Sequence, residues 1–306
     1  MARGSQHEGR FDYVLVETTG LANPGPIIAE LWTDEELEAG ASLDGVVTLV
    51  DGRNIGRQLS AVEEQQQQHP RVDRTGCEAA LQVALADVIL LNKMDLLSPE
   101  EAEAVRTTLR GINAAADIVA TTHSAVDLGL LLNRGAYRMR GGRSVAHAWL
   151  LQQQAQEPQE LQLSSSLSSH ECSSASSPCA LVHDAGVRTL ALRAPAPVDV
   201  AALRVWLEGL IWSSGSGSGS SSSGSTKKKP ELMRAKGVLD VAGSDNAHLL
   251  QAVYELYDIA PGPAWSSLLN TNTTTTMPRA TRIVLIGRGL DEEQLAAGLR
   301  ACCRTC

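Results

Sequence analysis

The sequence predicts an α/β protein in two parts, with a parallel sheet in the first part and a smaller α+β domain in the second. Residues 11–122 alternate short apolar runs with helical patterns, as βαβ units do. The runs are continuously apolar, which is typical of strands buried on both faces of a sheet. A second patterned region begins at residue 183, after a stretch that is rich in Gln and Ser.

Four apolar runs are the predicted strands of the first part: residues 13–16, 46–50, 88–91 and 118–119. After the third run, Ser98 is expected to cap a helix that has Pro99 at its first position and Glu101 closing a capping box. We expect that helix to continue to about Leu109.

The second part mixes strands and helices, which indicates an α+β domain. An amphipathic helix is predicted from Asp199, with Trp206 on its apolar side, and a last helix is predicted from its cap at Asp291 to about Cys302. Trp265 is interpreted as a core residue. The predicted strands cover four segments: residues 187–193, 237–241, 248–257 and 282–286.

Two polar tracts set the predicted domain boundaries. Residues 146–182 are rich in Gln and Ser, and residues 213–230 are rich in Ser and Gly. Neither tract can bury enough apolar surface to offset its ordering entropy. We therefore expect a first domain over residues 11–145, a linker, and a second domain over residues 183–303 that the 213–230 tract interrupts as a flexible insertion.

Composition excludes several classes of protein. The formal charge of −9 and the pI near 5.3 argue against a nucleic-acid-binding face, which is normally rich in Lys and Arg. No apolar stretch approaches the length of a membrane span. Six irregularly spaced cysteines fit a reducing compartment better than a disulfide scaffold. We expect a cytoplasmic protein, with organelle targeting left open if the amino terminus is truncated.

The first candidate site follows the strand predicted at residues 13–16. Glu17 and Gly20 stand at its carboxyl edge, where ligands of open α/β sheets bind. In nucleotide hydrolases an acid at this place orients Mg²⁺ and its water, and a glycine lets a backbone N–H approach the terminal phosphate. A lone acid at a strand end is more often part of a simple turn, so this assignment depends on the rest of the pattern.

The second candidate site follows the apolar run at residues 88–91. The spacing of Asn92, Lys93 and Asp95 fits the recognition of guanine. Asp95 would accept two hydrogen bonds from the base in a charge-assisted, bidentate contact. Lys93 would lay its aliphatic stem along the base plane, and Asn92 would brace the loop.

Three segments of the first part resemble the CobW branch of the CobW/HypB/UreG GTPases, and in particular its zinc-regulated metalloprotein activators: residues 17–26, 47–51 and 92–95. Three segments of the second part are similar to the carboxy-terminal domain of that family: residues 183–188, 236–239 and 283–288. The resemblance covers most of residues 11–145 and 183–303.

The resemblance implies a P-loop-type sheet and a GTP-driven switch that delivers a metal, often zinc, to a client metalloprotein. GTP and Mg²⁺ would be the cofactors and Zn²⁺ the cargo. Glu17 would be the acid on the magnesium side and Gly20 a switch contact. Asn92, Lys93 and Asp95 would recognise guanine.

The sequence departs from this family before Glu17. The family's phosphate loop, G-x-x-x-x-G-K-[ST], should precede the Glu17 strand, but only sixteen residues stand there, and no lysine of this sequence follows a glycine. The family's C-x-C-C metal motif is missing too. The sheet is therefore expected to lack its phosphate-loop strand and helix, which argues against GTP hydrolysis by this chain.

Three hypotheses remain open at this point. The chain is a fragment of a CobW-type GTPase, or a nucleotide-free relative that serves as a binding scaffold, or a thiol metal buffer. The third hypothesis rests on Cys302, Cys303 and Cys306, because three sulfur atoms within five residues can ligate a tetrahedral metal. His183 is interpreted as a packing residue in preference to a metal ligand.

Overall fold

The computed structural model describes residues 11–33, 42–59, 78–137, 186–212, 230–269 and 279–304. The first part contains, in chain order, α1 (Gly25–Thr33), β1 (Val47–Asp51), α2 (Glu78–Leu85), β2 (Val88–Asn92), α3 (Pro99–Ile112) and β3 (Asp117–Ala120). The second part contains β4 (Val187–Ala194), α4 (Val200–Trp212), β5 (Glu231–Asp240), β6 (Asn246–Val253), β7 (Leu256–Ala264), α5 (Trp265–Leu269), β8 (Thr281–Arg288) and α6 (Glu292–Ala301). The predicted linker and nearly all of the predicted insertion lie outside the described residues.

The first sheet is parallel, with the strand order β1-β2-β3. The central strand β2 is buried on both faces, as its apolar run predicts. The prediction of burial on both faces is wrong for β1, where burial alternates and Val47 and Leu49 are 42% and 57% exposed. It also fails for β3, whose residues are at most partly buried. Both are outer strands of the described sheet, so each pairs with a neighbour on one side only.

The strand predicted at residues 13–16 is absent, since this segment pairs with no strand among the described residues. The side chains of Val14, Leu15 and Val16 are exposed. Tyr13 is held by its hydroxyl group, which donates to Asp44 Oδ2 at 3.0 Å and accepts from the backbone N–H of Asn133 at 2.6 Å. An apolar run with β propensity becomes a strand only where a neighbour satisfies its backbone groups.

Helix α3 confirms the predicted start. Glu101 N donates to Ser98 Oγ at 3.2 Å, and Ser98 N donates to Glu101 Oε2 at 2.8 Å, which completes the capping box. The helix continues three residues beyond the predicted end, to Ile112. Asn113 follows it, fully buried, and its side-chain amide donates to three carbonyl groups at the end of α2 and after it. This amide fastens α3 to α2.

The second sheet is antiparallel, with the strand order β4-β8-β5-β6-β7. The α+β interpretation is therefore confirmed, and Trp265 is buried as expected. The single strand predicted at residues 248–257 is wrong, because the chain reverses there between β6 and β7. Tyr254 lies at this reversal with a φ of 50°, a left-handed backbone conformation that residues other than glycine adopt infrequently.

The two sheets share one hydrophobic core, which includes Ile89 and Leu91 of β2 and Val238 and Val284 of the antiparallel sheet. Polar contacts reinforce this junction, for example the hydrogen bond of 2.9 Å from Thr189 Oγ1 to the Ile112 carbonyl oxygen. The first part is thus packed directly on the second. None of the helices in the described ranges combines the length and the apolar character needed to cross a membrane.

Candidate functional site

The carboxyl ends of β1, β2 and β3 meet at one edge of the parallel sheet. The register pairs Asp51 with Asn92, and Leu91 with Ala120, so the loops that leave the three strands start at the same level. In open parallel sheets this edge is where ligands bind. The second site predicted from the sequence therefore lies on an edge with the appropriate geometry.

Asn92 joins the loops that follow β2 and β3. Its Oδ1 atom accepts hydrogen bonds from Ser124 N at 2.9 Å and from Thr121 Oγ1 at 3.2 Å. Its Nδ2 atom donates to Ser124 Oγ at 3.0 Å. His123 and Ser124 both adopt positive φ angles, of 52° and 57°, and the Asn92 contacts hold this unusual backbone in place. The bracing expected of Asn92 is thus seen as hydrogen bonds, while its role toward guanine stays a prediction.

Lys93 crosses from the β2 loop to the end of β1. Its backbone is left-handed, with φ 62°, and its Nζ atom lies 2.8 Å from Asp51 Oδ2. Burial would raise the pKa of the Asp51 carboxyl, but hydrogen bonds from Lys93 and Asn54 and the charge of Lys93 lower it below its usual value. Asp51 therefore stays ionised near neutral pH, and its pair with Lys93 fixes the course of the lysine stem.

Asp51 has no assigned role in the sequence-based prediction, although it ends an apolar strand as Asn92 does. Its Oδ1 atom accepts from Arg53 N at 3.1 Å and its Oδ2 atom from Asn54 Nδ2 at 2.8 Å. These contacts shape the turn after β1 as well as holding Lys93. The available signal was its position at the carboxyl end of a predicted strand.

Asp95 lies in a short 3₁₀ helix, Met94–Leu96, directly after Lys93. Its side chain is exposed. Among the described residues it takes part in no hydrogen bond or ion pair of the kind that occupies Asp51. An exposed carboxylate without a partner in the described structure is well suited to accept two hydrogen bonds from a planar ligand.

Glu17 and Gly20 lie in the exposed segment that precedes α1. A Cβ atom at Gly20 would have no neighbour within 4 Å, so the space beside this residue is open. Gln82 of α2 holds the segment, with its Nε2 atom donating to the carbonyl oxygens of Gly20 at 3.1 Å and Ala22 at 2.9 Å. No hydrogen bond or ion pair links Glu17 to Lys93 or Asp95 in the described part of the chain. Their joint action on one nucleotide therefore stays a prediction.

The cysteines proposed as metal ligands are partly described. Cys302 is 4% exposed, and its thiol donates to the Gly298 carbonyl oxygen, with 3.2 Å between Sγ and the oxygen. Burial raises the pKa of both the Cys302 and the Cys303 thiols. Thiols, unlike thiolates, are poor metal ligands. Cys306 and His183 lie outside the described residues, within which no group of three or more His, Cys, Asp or Glu side chains could hold a metal ion. The thiol site stays a prediction.

Two family models match the chain. Residues 1–120 match the CobW/HypB/UreG nucleotide-binding domain, and residues 187–303 match the cobalamin synthesis protein CobW carboxy-terminal domain. The two matches fall on the parallel and the antiparallel sheet. This order of domains agrees with the resemblance noted in the sequence.

Individual relatives agree with both models. The zinc-regulated GTPase metalloprotein activator 1 of Saccharomyces cerevisiae is 27% identical over 95% of this chain and 62% of its own length. The zinc chaperone YjiA of Escherichia coli is 28% identical over 95% of this chain and 72% of its own length. The chain thus spans about two thirds of the length of these two relatives.

The crystal structure of Zn(II)-bound YjiA GTPase from E. coli matches 93% of this chain and 69% of its own, with a TM-score of 0.59 and 25% sequence identity. The shared fold includes the parallel sheet and the antiparallel domain. Both domain models, the relatives and the solved structure agree, so the chain belongs to the CobW-type family of proteins, which combine a CobW/HypB/UreG nucleotide-binding domain with a CobW carboxy-terminal domain.

Proposed function

We propose that this chain contributes to a GTP-dependent zinc chaperone that activates client metalloproteins, and that its own part in binding is the recognition of guanine. The observation that carries the proposal is the exposed carboxylate of Asp95 on the loop after β2, where Lys93 is paired with Asp51 and Asn92 is hydrogen-bonded to the loop after β3. The names of two relatives, a zinc-regulated GTPase metalloprotein activator and a zinc chaperone, support the wider role.

Guanine offers the donors that Asp95 requires. Its N1–H and exocyclic amine lie side by side, so one carboxylate can accept both hydrogen bonds, whereas adenine has no N1–H and carries its amine at another position. Charge-assisted hydrogen bonds of this kind contribute about 1.5–3 kcal/mol each. Lys93, held by Asp51, would cover one face of the base with its methylene groups.

On the phosphate side, Glu17 would orient Mg²⁺ and its water, and the backbone of Gly20 would contact the terminal phosphate. Both residues are exposed, and the space beside Gly20 is open enough for a ligand. Bound Mg²⁺ would neutralise charge that develops on the phosphates. We further propose that the chain represents part of a longer GTPase and that a phosphate loop outside this sequence supplies the remaining contacts.

A second candidate function is that of a nucleotide-free scaffold that binds a protein partner. The motivation is that the sequence contains no G-x-x-x-x-G-K-[ST] loop, although both of its domains are well patterned. Without that loop, only the contacts to guanine would hold GTP in this chain, which favours a function that needs no nucleotide. The scaffold hypothesis predicts that the chain does not discriminate GTP from ATP.

A competition titration separates the two functions. The chain is titrated with a fluorescent GTP analogue in the presence of Mg²⁺, and GTP or ATP is then added as competitor. The GTPase hypothesis expects displacement by GTP but not by ATP, and a loss of at least about tenfold in affinity for Asp95→Ala. Equal displacement by both nucleotides would favour the scaffold.

A further inference from the structure

The turn between β6 and β7 reaches from the antiparallel sheet to the residues that precede α1. Tyr254 stands in this turn, and its ring lies against Gly25. A Cβ atom at Gly25 would be 2.8 Å from Tyr254 Cδ2 and closer still to Cε2, so no residue other than glycine fits here without moving the ring. The ring of Tyr254 and the start of α1 are therefore in direct contact.

Asn23 adds a polar link to this contact. Its Oδ1 atom accepts a hydrogen bond from Gly25 N at 3.0 Å, and its side chain also forms a hydrogen bond with Tyr254. Burial is the main reason that the pKa of Tyr254 is raised, so the hydroxyl keeps its proton at neutral pH. Tyr254 thus contacts the residues before α1 through its ring, at Gly25, and through its hydroxyl group, at Asn23.

The contact lies close to the predicted nucleotide switch. Only two residues separate Gly20 from Asn23, and Ala22 N donates to the Thr19 carbonyl oxygen at 3.0 Å, which closes a turn over these residues. On the other side, Ile28 N donates to the Pro24 carbonyl oxygen at 2.9 Å and starts α1. Because this connection is short and hydrogen-bonded, a displacement of Gly20 would also displace Asn23 and its contact with Tyr254.

The other end of the Tyr254 contact is fixed in the antiparallel sheet. Tyr254 N donates to the Met233 carbonyl oxygen of β5 at 3.0 Å, and Met233 is fully buried. Strand β5 is in turn held to the parallel sheet by Lys236, whose Nζ atom lies 2.7 Å from Asp87 Oδ1. The second domain is therefore anchored to β2 and, at a separate place, touches the segment that leads from Gly20.

We propose that Tyr254 is the positioning residue that couples the conformation of residues 17–25 to the conformation of the β6–β7 hairpin. The inference rests on the proposed function, because a nucleotide held at Glu17 and Gly20 would bias the segment. Coupling between two sites is reciprocal and commonly changes affinity by about 5- to 150-fold. Whatever binds the carboxy-terminal sheet would then alter nucleotide affinity through the same contact.

Hydrogen exchange of the full chain tests this coupling, with and without a non-hydrolysable GTP analogue and Mg²⁺. Residues 92–97 report on guanine binding, and residues 246–264 report on the hairpin. We expect the analogue to slow exchange in both regions of the wild-type chain. In Tyr254→Ala the response of residues 92–97 is expected to persist, while the response of the hairpin falls at least about fivefold.

Tyr257→Phe is the matched control. Tyr257 stands on the same hairpin, but its hydroxyl donates to Glu208 Oε1 at 2.6 Å within the second domain. We expect this variant to keep both responses. Asn23→Ala changes an exposed side chain and is expected to weaken the hairpin response in the same direction as Tyr254→Ala, which keeps the test valid if Tyr254→Ala does not fold.

Two results would overturn the inference in distinguishable ways. If residues 92–97 respond but the hairpin does not, or if the hairpin response survives in Tyr254→Ala and in Asn23→Ala, then Tyr254 does not couple the segment and the proposed function still stands. If residues 92–97 do not respond in the wild-type chain, the proposed function fails, and the coupling fails with it.

Discussion

Asp87 and Arg234 form a buried ion pair that joins the parallel sheet to the antiparallel sheet, across 147 residues of sequence. Lys236 approaches the same carboxylate, and the Arg234 guanidinium also donates to the Leu85 carbonyl oxygen. Asp87 directly precedes β2, whose other end carries Asn92. The strand that leads to the loop predicted to bind guanine is thus joined at its start to the second domain.

We predict that Asp87→Ala strongly destabilises the chain. Removing the carboxylate leaves two cations in the interior without a counter-charge, and the loss of one partner of a buried pair typically costs about 3–5 kcal/mol. Urea unfolding measures this free energy. Arg304→Ala is the control, because it breaks an exposed pair with Asp199 and should cost less than about 1 kcal/mol. Equal costs for the two variants would contradict this account of the junction.

The same ion pair predicts a dependence of stability on pH. Burial alone would raise the pKa of the Asp87 carboxyl, but Arg234 and Lys236 outweigh burial and hold it at about 2. Because this folded-state pKa lies below the unfolded value of about 4, the contribution is fully present above pH 4 and is lost as the pH falls toward 2. Its size is about 2 kcal/mol.

The measurement for this second prediction is the free energy of unfolding of the wild-type chain and of Asp87→Asn between pH 6 and pH 3. We expect the difference between the two proteins to shrink steadily as the pH falls below about 4. A constant difference over this range would show that folding does not lower the pKa of the Asp87 carboxyl. The comparison removes the effect of other carboxyl groups, which both proteins share.

We predict that Asn92→Ala loosens the loop after β3. The substitution removes the three hydrogen bonds that join Asn92 to Thr121 and Ser124. Amide exchange over residues 121–125 should become faster, and the free energy of unfolding should fall by about 1–3 kcal/mol. Thr189→Val is a control, since it removes a polar contact of the domain junction far along the chain and should leave exchange in this loop unchanged.

Sequence signals that act over a few residues were sufficient to predict parts of the fold. Ser98 and Glu101 stand three residues apart and form the capping box that starts α3. The apolar run of β2 is continuous and is followed by a helical pattern, and together these features identify a buried strand. In these cases the residues that determine the element are also the residues that form it.

Features that depend on distant partners could not be predicted. The run at residues 13–16 has strand composition, but no described strand supplies its backbone with a partner. The turn at Tyr254 lacks the Gly or Asn that usually marks a hairpin, so the sequence pattern predicts one strand over residues 248–257. The pair of Asp87 with Arg234 exists only because the two sheets pack together. Asp51 has no role in the sequence-based prediction for a similar reason, since its partner Lys93 lies in the loop after the neighbouring strand of the sheet.

The most direct test of the guanine site is a change of base preference. Asp95→Asn replaces one carboxylate acceptor by an amide donor, and xanthine carries a carbonyl oxygen where guanine carries its exocyclic amine. We expect the wild-type chain to prefer GTP over xanthosine triphosphate, and the variant to reverse this preference, with a change of at least about tenfold in the ratio of the two dissociation constants. Asp245→Asn makes the same change of charge at an exposed turn of the second domain and should keep the preference for GTP. If the wild-type chain does not distinguish the two nucleotides, or if Asp95→Asn keeps the wild-type ratio, then Asp95 does not recognise guanine.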